Sequence, residues 1–193
     1  RLMESWSSKD IMSLVIGSLI CRLEYTELTF VLKFIKSEIF AWIDALVRFT
    51  PGRIGIAFRR SWYKNRFQDC KGISIGVGCN FSSLHTIAFN GPVSIGERSQ
   101  FFADGGSIVV GGETTFNSDV HINASVGGII QIGETCLIGP NVVMRTAGHR
   151  FDDPSVPIRQ QEHIIKNIIV GDDVWIGCNA VVLGGVQIGS GSV

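Results

Sequence analysis

His149 lies in a long polar stretch that interrupts an otherwise regular run of short repeats, and it is the side chain best suited to move a proton. An imidazole titrating near neutrality balances availability against basic strength, and a placed base of this kind contributes roughly 10²–10⁴-fold to a reaction. Asp152 and Asp153 follow closely enough to orient the ring, although Asp-Asp-Pro is equally ordinary turn chemistry. His121 stands two residues from Asp119 and could share a cleft with it, or be a satisfied surface residue. His85 and His163 have no comparable context. Cys178 sits inside a repeat with no nucleophile motif around it, so a small residue filling its place is the reading.

The elements that must position these residues follow a period of six. Ile132, Ile138 and Met144 precede the interruption, and Val170, Ile176, Val182 and Ile188 follow it. Neither a helix nor an ordinary strand demands that spacing, so the pattern is an internal repeat and predicts a solenoid. A prism-shaped parallel β-helix fits, with each short strand pointing one aliphatic side chain into a narrow triangular core. Burying each Ile or Val stabilises by roughly 1.5–3 kcal/mol. Gly133, Gly139, Gly171, Gly177 and Gly189 take the next place, where a side chain would crowd the bend or oppose its backbone angles. The repeat starts near Ile75, loosens around Ile95 and Phe101, and recovers at Val110. Extra residues around Val126–Ile130 must bulge at a corner. From Met144 to Val170 about twenty residues leave the prism, and so long a loop is usually functional.

Composition divides the chain near residue 72. Of 23 glycines only Gly17, Gly52 and Gly55 come earlier, which predicts a helical region over 1–71 and a β-helix over 72–193. The formal net charge of zero argues against a nucleic-acid binder. Five widely spaced cysteines without a CxxC pair indicate reduced thiols and a cytoplasmic setting. Arg1 at the start and Val193 within a repeat suggest part of a longer protein.

Before residue 72, Ser7 to Asp10 reads as a helix start, followed by an apolar run from Ile11 to Leu23 and a second segment from Leu28 to Phe49. Lys33, Ser37, Asp44 and Arg48 fall near one helical face, opposite a broad apolar one. Over 51–71, Arg53, Arg59, Arg60, Lys64, Arg66 and Lys71 stand against Asp69 alone, with Phe58, Trp62, Tyr63 and Phe67 interleaved. Two readings stay open. The helices pack on themselves or on another subunit, or residues 11–71 lie at a membrane surface; the basic patch would also suit an anionic glycan.

From Ile138-Gly139-Pro140-Asn141, through Gly148-His149, to Val170-Gly171-Asp172-Asp173-Val174-Trp175-Ile176-Gly177, the sequence resembles the hexapeptide-repeat acyltransferases. It is most similar to the galactoside, maltose and polysaccharide O-acetyltransferase branch. The resemblance covers about 72–193 and implies a mainly β fold, a left-handed parallel β-helix, and a homotrimer with active sites between subunits. It also implies acetyl-CoA as co-substrate, a sugar or glycan acceptor, and His149 as general base. Trp175 matches a residue lining the coenzyme and acceptor channel, and the backbone amide at Cys178 of a neighbouring subunit matches an oxyanion donor. Asp119 stands where relatives often carry an acceptor-binding Asn, with His121 beside it, and Gly184 stands where Pro is usual. Relatives continue with further coils that contact the distal coenzyme and cap the core.

The resulting expectation is an O-acetyltransferase acting on a cell-surface polysaccharide or its lipid-linked precursor, cytoplasmic and peripheral at the inner face of the membrane. Alternatives are a small soluble acceptor, such as a free sugar or an antibiotic, and a non-catalytic scaffold. A zinc-dependent carbonic anhydrase on this fold needs three histidine ligands, and no second His lies within five residues of His149, so no metal is expected.

Overall fold

The computed structural model describes the backbone of residues 8–193 and the side chains from residue 29 on. Helix α1 runs Ser8–Phe49 without a break, where two segments were expected. Glu24-Tyr25-Thr26-Glu27 between them contains neither Gly nor Pro, so nothing interrupts the backbone ladder. The side chains of the run from Ile11 to Leu23 lie outside the described residues. The chain forms two compact units, 1–46 and 47–193. In the first, Phe30, Leu32, Phe34, Phe40 and Trp42 are all exposed. At 100° per residue Val31, Phe34, Ile35, Ile39, Trp42, Ile43 and Leu46 fall on one broad face opposite Lys33, Lys36 and Ser37, with Phe30 and Phe40 outside it. Among the described residues no helix is long and apolar enough to cross a membrane.

In the second unit, Pro51 ends α1 and caps α2, Gly52–Tyr63, because a residue before proline is driven out of the helical region. α2 holds a correction to the basic run. Arg59 is 1% exposed and inside the fold. Its Nε donates to the Ile75 carbonyl at 2.8 Å, and its Nη1 donates to Thr50 at 2.7 Å and to Val47 and Arg48 at 3.3 Å. A guanidinium on the last carbonyls of α1 complements the negative end of that helix. Tyr63 and Phe67 are buried too, and continue into a file of aromatic contacts through Phe81, Phe89, Phe101 and Phe116. Part of the basic-aromatic stretch therefore covers the first coil instead of facing outward.

The remainder is a left-handed parallel β-helix of three sheets. The first contains Asp69–Cys70, Ile87–Phe89, Ser107–Val110, Ile129–Ile132, Ile168–Val170 and Gln187–Ile188. The second contains Ile73–Ile75, Val93–Ile95, Thr115–Phe116, Leu137–Ile138 and Trp175–Ile176, and the third Asn80–Ser82, Gln100–Phe102, His121–Asn123, Val143–Arg145 and Val181–Leu183. Inward residues stack coil on coil: Ile75, Ile95, Phe116, Ile138 and Ile176 in the second sheet, and Phe81, Phe101, Ile122, Met144 and Val182 in the third. Ile95 and Phe101 are thus in strict register. The irregular spacing comes from the corners, where 3-10 turns at Leu84–Thr86 and Ser125–Gly127 take up extra residues. Val126 adopts φ 70° there, the bulge the spacing required.

The repeat glycine serves for space alone. Left-handed angles fall two residues later, at Arg98, Asp119, Asn141 and Asn179. A Cβ on Gly139 would lie 2.8 Å from the Cys178 nitrogen of the next coil, whereas one on Gly148, outside the coils, would meet nothing within 4 Å. Gly139→Ala is expected to cost about 1–3 kcal/mol through overpacking, with Gly148→Ala near neutral, both read by chemical denaturation. Equal effects would show that coil spacing is not set at this position.

Candidate active site

The interruption after Met144 is a braced arm and not a bare loop. Ala147–His149 pairs antiparallel with His163–Ile165, in the register Ala147↔Ile165, Gly148↔Ile164 and His149↔His163. The arm leaves and re-enters across Thr146, whose carbonyl accepts from the Lys166 N–H at 3.1 Å. Gly128 must be small here, since a Cβ would come within 2.2 Å of the Thr146 hydroxyl. Within the arm Gln161 Nε2 donates to the carbonyls of Asp153 and Val156 at 2.9 and 2.8 Å.

His149 is exposed near the arm's base, and the ring of His163 lies 4.4 Å away, centroid to centroid. Residues directly opposite on an antiparallel pair project to one side, which brings the two imidazoles together. His163 is the neighbour that sequence reasoning missed, because only the antiparallel register makes it one. The two aspartates do not serve the ring. Asp152 accepts two bonds at 3.2 Å from Arg150, which holds its carboxyl below the usual range. Asp153 accepts from the Ser155 N–H and hydroxyl, the turn chemistry anticipated.

Asp119 and His121 occupy the corner and outer face of the third sheet but do not meet as a pair. Arg98, one coil earlier, donates to both Asp119 oxygens at 2.8 and 2.7 Å, and this keeps the carboxyl ionised below its ordinary pKa. His121 is half-buried, edge-on to Phe102 at 5.5 Å. Burial, with Arg145 nearby, pushes its pKa down. Its Nε2 has no hydrogen-bond partner among the described residues.

Trp175 and Cys178 belong together. With Thr115, Asn117, Leu137, Ile138, Gly139 and Pro140 they line a mostly apolar cavity of about 500 Å³. Asn117 and Leu137 were not singled out beforehand. Outward positions of a parallel sheet repeat coil by coil, and the pairing Leu137↔Trp175 is the signal that reveals the second. The Cys178 N–H has no partner among the described residues. Cys178 is the counterpart of Pro140 one coil earlier, as Gly139-Pro140-Asn141 and Gly177-Cys178-Asn179 align. No residue of the arm lines this cavity. Cys178 lies where the second sheet turns into the third, and the arm leaves where the third turns into the first. A whole strand, roughly 10 Å long, separates them. Among the described residues no group of three His, Cys, Asp or Glu gathers around a metal-sized point.

The described chain is thus a parallel β-helix of short coils, broken once by a histidine-bearing arm and carrying an apolar cavity on one face, and the proteins it is similar to include acetyltransferases. A probable acetyltransferase of Mycobacterium tuberculosis is 34% identical over 101 residues, 52% of this chain and 33% of that protein. The galactoside O-acetyltransferase of Escherichia coli is 30% identical over 104 residues, 50% of this chain and 46% of the relative. The chain thus spans less than half the length of either. Among solved structures, a hexapeptide-repeat-containing acetyltransferase of Vibrio cholerae, complexed with acetyl coenzyme A, shares the fold. It has a TM-score of 0.50 and 24% identity, with 78% of this chain and 68% of that one covered. No family model matches.

The Arg98 contact makes a direct prediction. In Arg98→Gln the Asp119 carboxyl loses its main partner, so its pKa, followed by NMR titration, should rise toward the ordinary carboxylate value. The stabilisation from this depressed group is present above the unfolded carboxylate pKa and lost as pH falls through the folded one, and the variant should lack that acid loss. An unmoved pKa would mean the pair is not formed in solution.

Proposed function

We propose that the chain is an acetyl-CoA-dependent O-acetyltransferase whose acceptor is a sugar hydroxyl of a cell-surface polysaccharide or its lipid-linked precursor. The observation that supports this reading is that one chain carries both an exposed imidazole on an arm and, on another corner, an unpartnered N–H lining an apolar cavity. Similarity to acetyltransferases, one of them complexed with acetyl coenzyme A, supports it. Leu137, Pro140 and Trp175 offer an apolar wall suited to the coenzyme's thiol-bearing arm. His149 takes the proton of the acceptor hydroxyl as its oxygen bonds to the acetyl carbonyl carbon. The Cys178 N–H donates to the oxygen that becomes negative. The carbon–sulfur bond then breaks, and the thiolate recovers the proton from His149.

Because a strand's length separates His149 from Cys178 within one chain, the reading requires two copies, the imidazole from one and the amide from its neighbour, as in a homotrimer. The exposed apolar side chains of α1, with Arg53 and Lys64, support a peripheral place at the cytoplasmic face of the membrane. Phe34→Asp with Trp42→Asp should abolish co-sedimentation with anionic vesicles, and retention would leave subunit packing as the role of that helix.

His149→Ala is expected to lower acetyl transfer roughly 10²–10⁴-fold. Cys178→Pro is the sharper variant, since Pro140 already occupies the equivalent corner. It removes the N–H together with the thiol and should cost about 10²–10³-fold in kcat, whereas Cys178→Ala, which loses the thiol alone, should remain active. Full activity in His149→Ala would sink the base assignment, and full activity in Cys178→Pro the oxyanion assignment.

A further inference from the structure

A second cavity lies on the same sheet, toward its first coils. It measures about 540 Å³ and is lined by Arg60 from α2, Lys71, Ser74, Ser94, Glu113 and Thr115, among others. Ser74, Ser94 and Thr115 are exposed and stand in register on three successive strands, so their hydroxyls form a column. None of these hydroxyls has a hydrogen-bond partner among the described residues. Arg60 is exposed with no ion pair among the described residues, and Lys71 reaches Asp69 only at 3.7 Å. Thr115 lines both this cavity and the one beside Trp175. The outward column therefore continues as Ser74, Ser94, Thr115, Leu137 and Trp175, four strand spacings or about 19 Å from end to end.

We infer that this groove holds an acidic oligosaccharide, with its charged groups at Arg60 and Lys71 and its chain running along the hydroxyl column toward Trp175. The inference rests on the proposed acetyl transfer for the direction of the groove, but not for binding itself. Two cations from different elements at one end fit carboxylate or phosphate groups, Arg60 with two-pronged donation. Free hydroxyls repeating along a flat sheet face match a ligand that presents hydroxyls repeatedly. The groove exceeds a single sugar in length, which favours a polymer over a small soluble acceptor. Units bound at Ser74 to Thr115 take no part in the chemistry, but their binding energy holds the reacting hydroxyl in place. With only two cations and a neutral chain, a nucleic acid is disfavoured.

The test is calorimetric titration of the full chain with oligogalacturonides from the dimer to the octamer, against maltooligosaccharides of equal length. Acidic oligomers should bind with affinity that climbs with length until the groove is filled. Arg60→Gln with Lys71→Gln should weaken them at least about tenfold while leaving acetyl-CoA binding unchanged. Equal binding of the neutral series, no length dependence, unchanged binding in the double variant, or no binding at all would each overturn the groove. His149→Ala should bind the oligomers like the parent. Oligomer binding by the parent chain together with no acetyl transfer by that parent would keep the groove and discard the catalytic reading.

Discussion

Everything in the β-helix depends on each coil landing in register on the one before it. No coil buries enough surface to stand alone, so stability resides in contacts between neighbours. That constraint selects an aliphatic or aromatic residue at each inward place and, in most coils of the first and second sheets, a glycine immediately after it. At Gly139 the next coil's backbone passes so close that a Cβ would fall 2.8 Å from the Cys178 nitrogen. The same register creates functional surface without extra design. Any outward residue that recurs coil by coil becomes a column, as with Ser74, Ser94 and Thr115, and any insertion is expelled at a corner, as with the arm.

Much of this is written in the sequence, because a strict period of six is a strong and local signal. The prism, the corner bulge at Val126 and the departure of the chain after Met144 all follow from spacing. Corner angles do not. Glycine is the residue one first suspects of left-handed backbone, yet Arg98, Asp119, Asn141 and Asn179 hold it. The fold asks for space at the glycine and for the turn two residues later. Sequence reasoning also misjudged Arg59, Tyr63 and Phe67, since a basic-aromatic run reads as surface. A guanidinium inside the fold is tolerated because it meets the carbonyls of Ile75 and Thr50 and the last ones of α1.

The site divides along the same line. His149 is legible because it sits in a long insertion, and Trp175 with Cys178 because they sit in a motif. What the sequence hides is pairing at a distance. His163 meets His149 only through the antiparallel register of the arm, and Asp119 is held by Arg98 from the coil before. Asp119 is better described as a corner ion pair than as a free acceptor-binding carboxylate, and His121, with an unpartnered Nε2, faces outward apart from it.

An active site shared between copies is tested most directly by mixing two inactive variants, His149→Ala and Cys178→Pro, after joint denaturation and refolding. In a closed symmetric assembly with random assortment, about a quarter of the sites would combine an intact imidazole with an intact amide, and activity should return to about that fraction of the parent's. A mixture that stays as inactive as its components, although the chains have exchanged, would contradict a site built by two copies.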